Sequence, residues 1–285
     1  MGFLITDVSG VWSIDRRDEG AKPVSCGLLS PCQPCTARGV MAFCCTQTRE
    51  CVCMRKRDQA VISRMPCVPG VNAMCLSPCG RFLYQLSSEA DCVHTRAVST
   101  GELLFAAPAG VFPRMMQQER DRLLVSGGAV GEAYLFSLPH LFLQRVIHTR
   151  HPCFAAGSWK DGYALVCAEE GEDIHTVICT LPERAVRPKK LLELSGLPAA
   201  MRVCPDQEHA LLSTSDGLMK IHLKTGNVLW NRPEWALSMS IEIRGEHALI
   251  SDTISGRVCL MNHDRPWESE ILFSGRDAQA CFLDS

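Results

Sequence analysis

Short apolar runs punctuate the chain at nearly even intervals: FLITD from Phe3, VMAFC from Val40, RFLYQL from Arg81, RLLVSG from Arg122, YALVCA from Tyr163, HALLST from His209 and HALIS from His247. Their starts lie 37, 41, 41, 41, 46 and 38 residues apart, and counting from His247 through the chain end to Phe3 gives 41 more. A pattern that returns to its own beginning at one period predicts a ring of repeated units. After a turn of Gly, Ser, Asp or Glu, each run is followed by a second, alternating one, such as GVWSID from Gly10, GLMKIHL from Gly217 and GRVCLMN from Gly256. Alternation of this kind marks a half-buried strand in an antiparallel pair. A third run follows, as in ELLFAA from Glu102 and KLLEL from Lys190, and a fourth precedes the next unit, as in AAMRVCP from Ala199 and AQACFLD from Ala278.

Four short antiparallel strands per unit, seven times over, form the blade pattern of a β-propeller, in which radial packing protects the sheet edges. The prediction is an all-β, seven-bladed propeller spanning residues 1–285 as one domain. The chain opens with the second, third and fourth strands of a blade and finishes with a first strand. Residues 276–285 are therefore expected to pair beside residues 3–7 and close the ring.

The stretch LSPCGRFLYQLSSEADCVHTRAVSTGELL, from Leu76 to Leu104, resembles a YVTN-type or quinoprotein-like propeller repeat, with a Ser-Pro-x-Gly turn before the second strand and a Thr-Gly pair after the third. A second copy, from Val203 to Trp230, keeps Pro205, Asp206 and the Lys-Thr-Gly ending at Gly226. Cys79 stands where that family prefers Asp, and the Gly-His and Trp-Asp pairs of WD repeats are missing. The resemblance implies the fold; propellers host many unrelated functions, so it implies no activity.

Composition narrows the functions. A net charge of −2, from 29 basic and 31 acidic residues, supplies no general field for nucleic acid or anionic lipid. The basic runs from Met54 and Arg184 lack the interleaved aromatics that stack bases and read as solvated hairpins. The opening MGFLITDVSGVW has neither the basic region nor the apolar run of a secretory signal, and no 18-residue apolar stretch follows. Gly2 and Thr6 fit a short acylation pattern, but Phe3, Leu4 and Ile5 between them read as a buried strand. Seventeen cysteines without an export signal point to free thiols in the cytoplasm, packed as small apolar side chains.

The candidate chemistry is local. Cys32 and Cys35 have the C-x-x-C spacing of half a zinc site, and Cys51 and Cys53 share one face of a later strand, so these four are the metal candidates. His148, Arg150 and His151 fall on a connection between strands, where propellers carry ligands, and Trp235 follows Arg232 and Glu234 in a segment suited to a protein contact. Trp230 is expected to pack between blades. Asp7, Glu169, Glu170, Asp173, Asp216 and Asp252 gather toward one end of the ring, where acids could hold a divalent cation but also suit tight hairpins.

No catalytic constellation stands out, and the sequence calls for no cofactor. The preferred expectation is a non-enzymatic scaffold or binding module for a protein or a small ligand on one face of the ring. The alternative is a metal-dependent, lactonase-like or other hydrolase with Asp and His converging on the central channel. A quinone-dependent dehydrogenase comes third, on the TGNVLW segment alone.

Overall fold

The computed structural model describes residues 1–283 apart from 16–19, 29, 46 and 253. Its strands form seven four-stranded antiparallel sheets. The seven apolar runs are the second strands of the sheets, at Gly2–Asp7, Val40–Cys45, Phe82–Ser87, Arg122–Ser126, Gly162–Glu170, His209–Thr214 and His247–Asp252. They are continuously apolar because both faces are covered by neighbouring blades: Phe3, Leu4 and Ile5 are fully buried, as are Ala42, Phe43, Cys44 and Cys45. Outermost strands are wetter, and in Phe142–His148 only Ile147 is fully covered. The 46-residue step after Tyr163 comes from blade 5, whose second and third strands, Gly162–Glu170 and Ile174–Pro182, are nine residues each.

Seven apolar clusters occupy the seven blade interfaces. One joins Leu4, Val11 and Cys281 of blade 1 to Met41, Phe43 and Met54 of blade 2. Another joins Phe3, Ile5 and Phe282 of blade 1 to Leu249, Val258 and Leu260 of blade 7. Hydrogen bonds hold each blade and apolar contact holds one blade to the next, the division of labour expected of stacked repeats.

The ring closes as the run order predicts. Gln279–Leu283 pairs antiparallel with the first strand, with Gly2 opposite Leu283 and Thr6 opposite Gln279. Residues 284 and 285, included in the expected pairing, lie outside the described residues. The Phe3 and Phe282 rings meet at 5.8 Å across the seam. The only helical segment among the described residues is a single 3₁₀ turn, Pro233–Trp235.

Antiparallel order fixes which connections share an end. The turns from second to third strand and the links from one blade to the next emerge together; the remaining turns emerge at the opposite end.

Candidate functional site

The innermost strands surround a central channel of about 990 Å³. Register defines its layers. The third residue of each second strand pairs with Cys281, Cys35, Cys75, Gln117, Gly157, Arg202 and Glu242 in turn, so these seven residues form one level around the axis. Blades 1 to 3 contribute thiols to it, and blades 6 and 7 contribute Arg202 and Glu242. At Gly157 an added Cβ would come within 2.9 Å of Gln117 Oε1 and 2.8 Å of a Val203 methyl, so the missing side chain makes room for its neighbours.

Electrostatics differ between the channel and the whole chain. Arg38, Arg114, Arg120 and Arg202 line the channel, against the carboxyls of Glu242 and Asp277. A chain that is slightly acidic overall thus turns a basic wall inward. Arg114 lies over the Phe154 ring at 4.6 Å. Arg202 is half-buried and, among the described residues, makes no ion pair or side-chain hydrogen bond. Burial pushes the Glu242 carboxyl above its ordinary value, against the pull of the Phe282 N–H, which donates to Oε2 at 3.1 Å, and of Arg202 and Arg244. Burial likewise raises the thiols of Cys35, Cys281 and Cys75, the last to about 12. These thiols are inert at neutral pH.

Of the four metal candidates, Cys35, Cys51 and Cys53 share the apolar cluster between blades 2 and 3, with Cys32 packed at its edge. Cys32 pairs instead with Cys44, their sulfurs 3.6 Å apart. Among the described residues, no three or more His, Cys, Asp or Glu side chains are arranged to hold a metal ion. Antiparallel register explains this, since Cys32 stands opposite Cys44 whereas Cys35 stands opposite Ala42, a row further along.

Arg150 and His151 lie on the link between blades 4 and 5, at the end shared with the second-to-third turns, whereas His148, expected there too, ends the outermost strand of blade 4, paired opposite Glu132. His148 is exposed, with Nδ1 3.4 Å from Glu132; His151 is half-buried, with Nε2 3.7 Å from Glu169. Trp235 must be corrected. Its segment belongs to the blade 6 to blade 7 link at the same end, but the 3₁₀ turn tucks the ring into the core, where it is 4% exposed and capped by the Arg257 guanidinium at 4.7 Å. It offers no contact surface. Trp230 bridges blades 6 and 7 as expected, donating from Nε1 to the His263 carbonyl at 3.1 Å.

The acids at that end that accept hydrogen bonds serve their own turns or, for Asp216, also the neighbouring blade's Ser195. Asp7 Oδ1 accepts from the Ser9 and Gly10 amides, each at 2.9 Å, from Ser9 Oγ at 2.7 Å and from Trp12 Nε1 at 3.1 Å. Asp252 accepts from the Ile254 and Ser255 amides at 3.1 Å, and Asp216 from Ser195 and Ser215. Glu169 and Glu170 lie within a strand. The residues that sequence reasoning missed, Arg202 and Glu242, share one signal: each is the residue that register places opposite the third position of its blade's second strand.

No protein-family model and no curated protein matches the chain. Solved structures do. A protein from Lactobacillus plantarum superposes with a TM-score of 0.76 at 11% identity, covering 99% of each chain. A candidate 6-phosphogluconolactonase from Bacteroides uniformis gives 0.68 at 10% identity, covering 98% of this chain and 99% of that one. The dihydro-haem d1 dehydrogenase NirN, solved in complex with DHE, gives 0.59 at 17% identity over 84% of this chain and 55% of its own. At such identities the likeness establishes the fold: the chain is a seven-bladed β-propeller, as its resemblance to quinoprotein-like repeats implied.

Proposed function

We propose that this propeller is a binding module that takes a small anionic molecule into its central channel, with Arg202 as the anchoring cation. One observation carries this. Arg202 is half-buried at mid-depth in a channel lined by four guanidinium groups and two carboxyls, and among the described residues it has no ion pair. A guanidinium withdrawn from water needs an acceptor, and its planar fork suits carboxylate or phosphate oxygens. Glu242, in the same layer on the neighbouring blade, is a weak competitor because burial disfavours its ionised form. The setting is a reducing, cytoplasmic one, supported by the 17 thiols, most of them packed as small apolar side chains.

The test is calorimetry and thermal unfolding with a panel of small carboxylates and phosphates. A member of the panel should bind saturably and raise the midpoint, and Arg202→Met should weaken binding at least about tenfold, with Arg202→Lys recovering little of it because the fork is lost. Binding unchanged in Arg202→Met, or no panel member bound, would overturn the proposal.

A hydrolase of lactonase type is the second possibility, favoured by the full-length likeness to the candidate lactonase. It calls for several Asp and His side chains converging at the axis. Among the described residues the channel lining carries no histidine, and Glu242 is its only carboxyl in the central layer.

A further inference from the structure

Blade 2 holds an unusual row of sulfur. Cys32, on the innermost strand Cys32–Ala37, stands directly opposite Cys44, which stands directly opposite Cys51 on the third strand, Glu50–Arg55. Cys67 and Met74 complete the group: Cys51 Sγ lies 4.0 Å from Met74 Sδ, and Gln85 Nε2 lies 3.9 Å from both Met74 Sδ and Cys67 Sγ. The side chain of Arg96, 8% exposed, enters from blade 3, its Nε donating to Gln85 Oε1 at 3.2 Å and Nη1 to the Gly101 carbonyl at 3.0 Å. No carboxylate pairs with Arg96 among the described residues, and its charge lies beside the Cys67 and Cys51 sulfurs.

We propose that Cys32 and Cys44 are a peroxide-oxidisable pair that closes to a reversible cross-strand disulfide at the channel edge of blade 2. Three features carry it. The sulfurs are already 3.6 Å apart, and residues directly opposite in an antiparallel pair have Cα separations of about 4.5–5.5 Å, inside the range a disulfide spans. Access is asymmetric, since Cys32 is half-buried and open to an oxidant while Cys44 is fully buried behind it. The neighbouring group tolerates negative sulfur: hydrogen bonds from Cys44 and Cys51, with the Arg96 charge, hold the Cys67 thiol well below its ordinary value.

The chemistry balances with the peroxide as the two-electron oxidant. Cys32 sulfur takes the terminal peroxide oxygen as the O–O bond breaks, and an alcohol or water leaves. Cys44 sulfur then attacks the sulfenic sulfur; the S–O bond breaks, and the departing hydroxide takes the Cys44 proton and leaves as water. The bridge ties down the start of the innermost strand, where the Gln33 amide donates to Gln279 Oε1 at 2.7 Å across the blade 1 to blade 2 junction.

Blade 5 supplies an internal control. Cys153 and Cys167 are also directly opposite, but both are buried, at 0% and 1% exposure, so peroxide does not reach them. Cys79 is exposed, with a thiol drawn down to about 7 by Ser77 and Arg81, and would consume peroxide without bridging. The experiment therefore uses the full chain carrying Cys79→Ser, reduced, treated with hydrogen peroxide, alkylated and mapped by mass spectrometry. Two thiols should disappear with the loss of two hydrogens in mass, the Cys32 and Cys44 peptides should appear linked, and dithiothreitol should restore both. Adding Cys32→Ser, at a half-buried position, should abolish the linked peptide while the thermal midpoint is kept. A bridge between any other pair, oxidation of Cys32 to sulfinic acid with Cys44 still alkylated, or no loss of thiols would overturn the proposal.

Discussion

Glu242 carries a carboxyl into the channel wall, and the physics of that placement gives a signed pH dependence. Burial raises its pKa in the folded chain above that of the unfolded one. A carboxyl with a raised folded value stabilises the fold while it stays protonated and loses that contribution as pH rises through the folded value. Glu242→Gln keeps an acceptor for the Phe282 N–H and removes the charge. It should therefore raise the thermal midpoint at pH 8 by about 2 °C or more, with the gain vanishing near pH 4, as read by unfolding scans at both pH values. An equal gain at both would mean the charge is not the cause. Glu242 is invisible in the bare sequence because IEIR reads as ordinary alternation; only pairing with Leu249 puts it in the layer of Arg202. Trp235 shows the opposite failure. Its polar neighbours suggest exposure, and the local 3₁₀ turn turns the ring inward.

At the scale of strands and hairpins, the second strands were the most readable part of the chain, because two covered faces leave no polar position to interrupt the run. Outermost strands such as Leu103–Pro108, partly exposed on both faces, carry a weaker pattern and take their identity from position in the repeat. Hairpin acids were ambiguous for a physical reason, since a carboxylate that binds a cation and one that caps a turn use the same oxygens. Asp7 is 6% exposed and satisfies four donors within its own hairpin. Replacing it by Ala leaves those donors without their acceptor and should cost roughly 1–3 kcal/mol in urea unfolding, whereas Asp7→Asn, which keeps Oδ1, should cost clearly less. Equal losses from the two variants would argue that the hairpin depends on charge rather than on the acceptor.

Across the whole ring, blades adhere through apolar clusters, and the seam inside blade 1, between Gln279–Leu283 and Gly2–Asp7, is the one place where chain continuity does not help. Phe282 sits there, 4% exposed, against Phe3, with Arg244 over its ring at 5.4 Å. Phe282→Ala should cost about 3–5 kcal/mol, a large share of an ordinary domain's margin, and should hasten proteolysis at both chain ends. Loss confined to within 1 kcal/mol would mean that the seam is not a weak point. That closure could be read from the spacing of apolar runs alone, since the interval across the chain ends matches the others. The channel could not, because its character depends on which side chains meet around an axis that no local pattern encodes.

The central layer has no rotational symmetry in its chemistry, although the backbone around it nearly does. Soft sulfur occupies one arc, from Cys281 through Cys35 to Cys75, and an acid and a cation occupy the arc that adjoins it at Cys281, at Glu242 and Arg202. A guest entering along the axis would be steered to a single azimuth, its greasy flank toward the thiols and its oxygens toward the guanidinium. Such a socket distinguishes mirror images, so a chiral guest and its enantiomer should not be held alike.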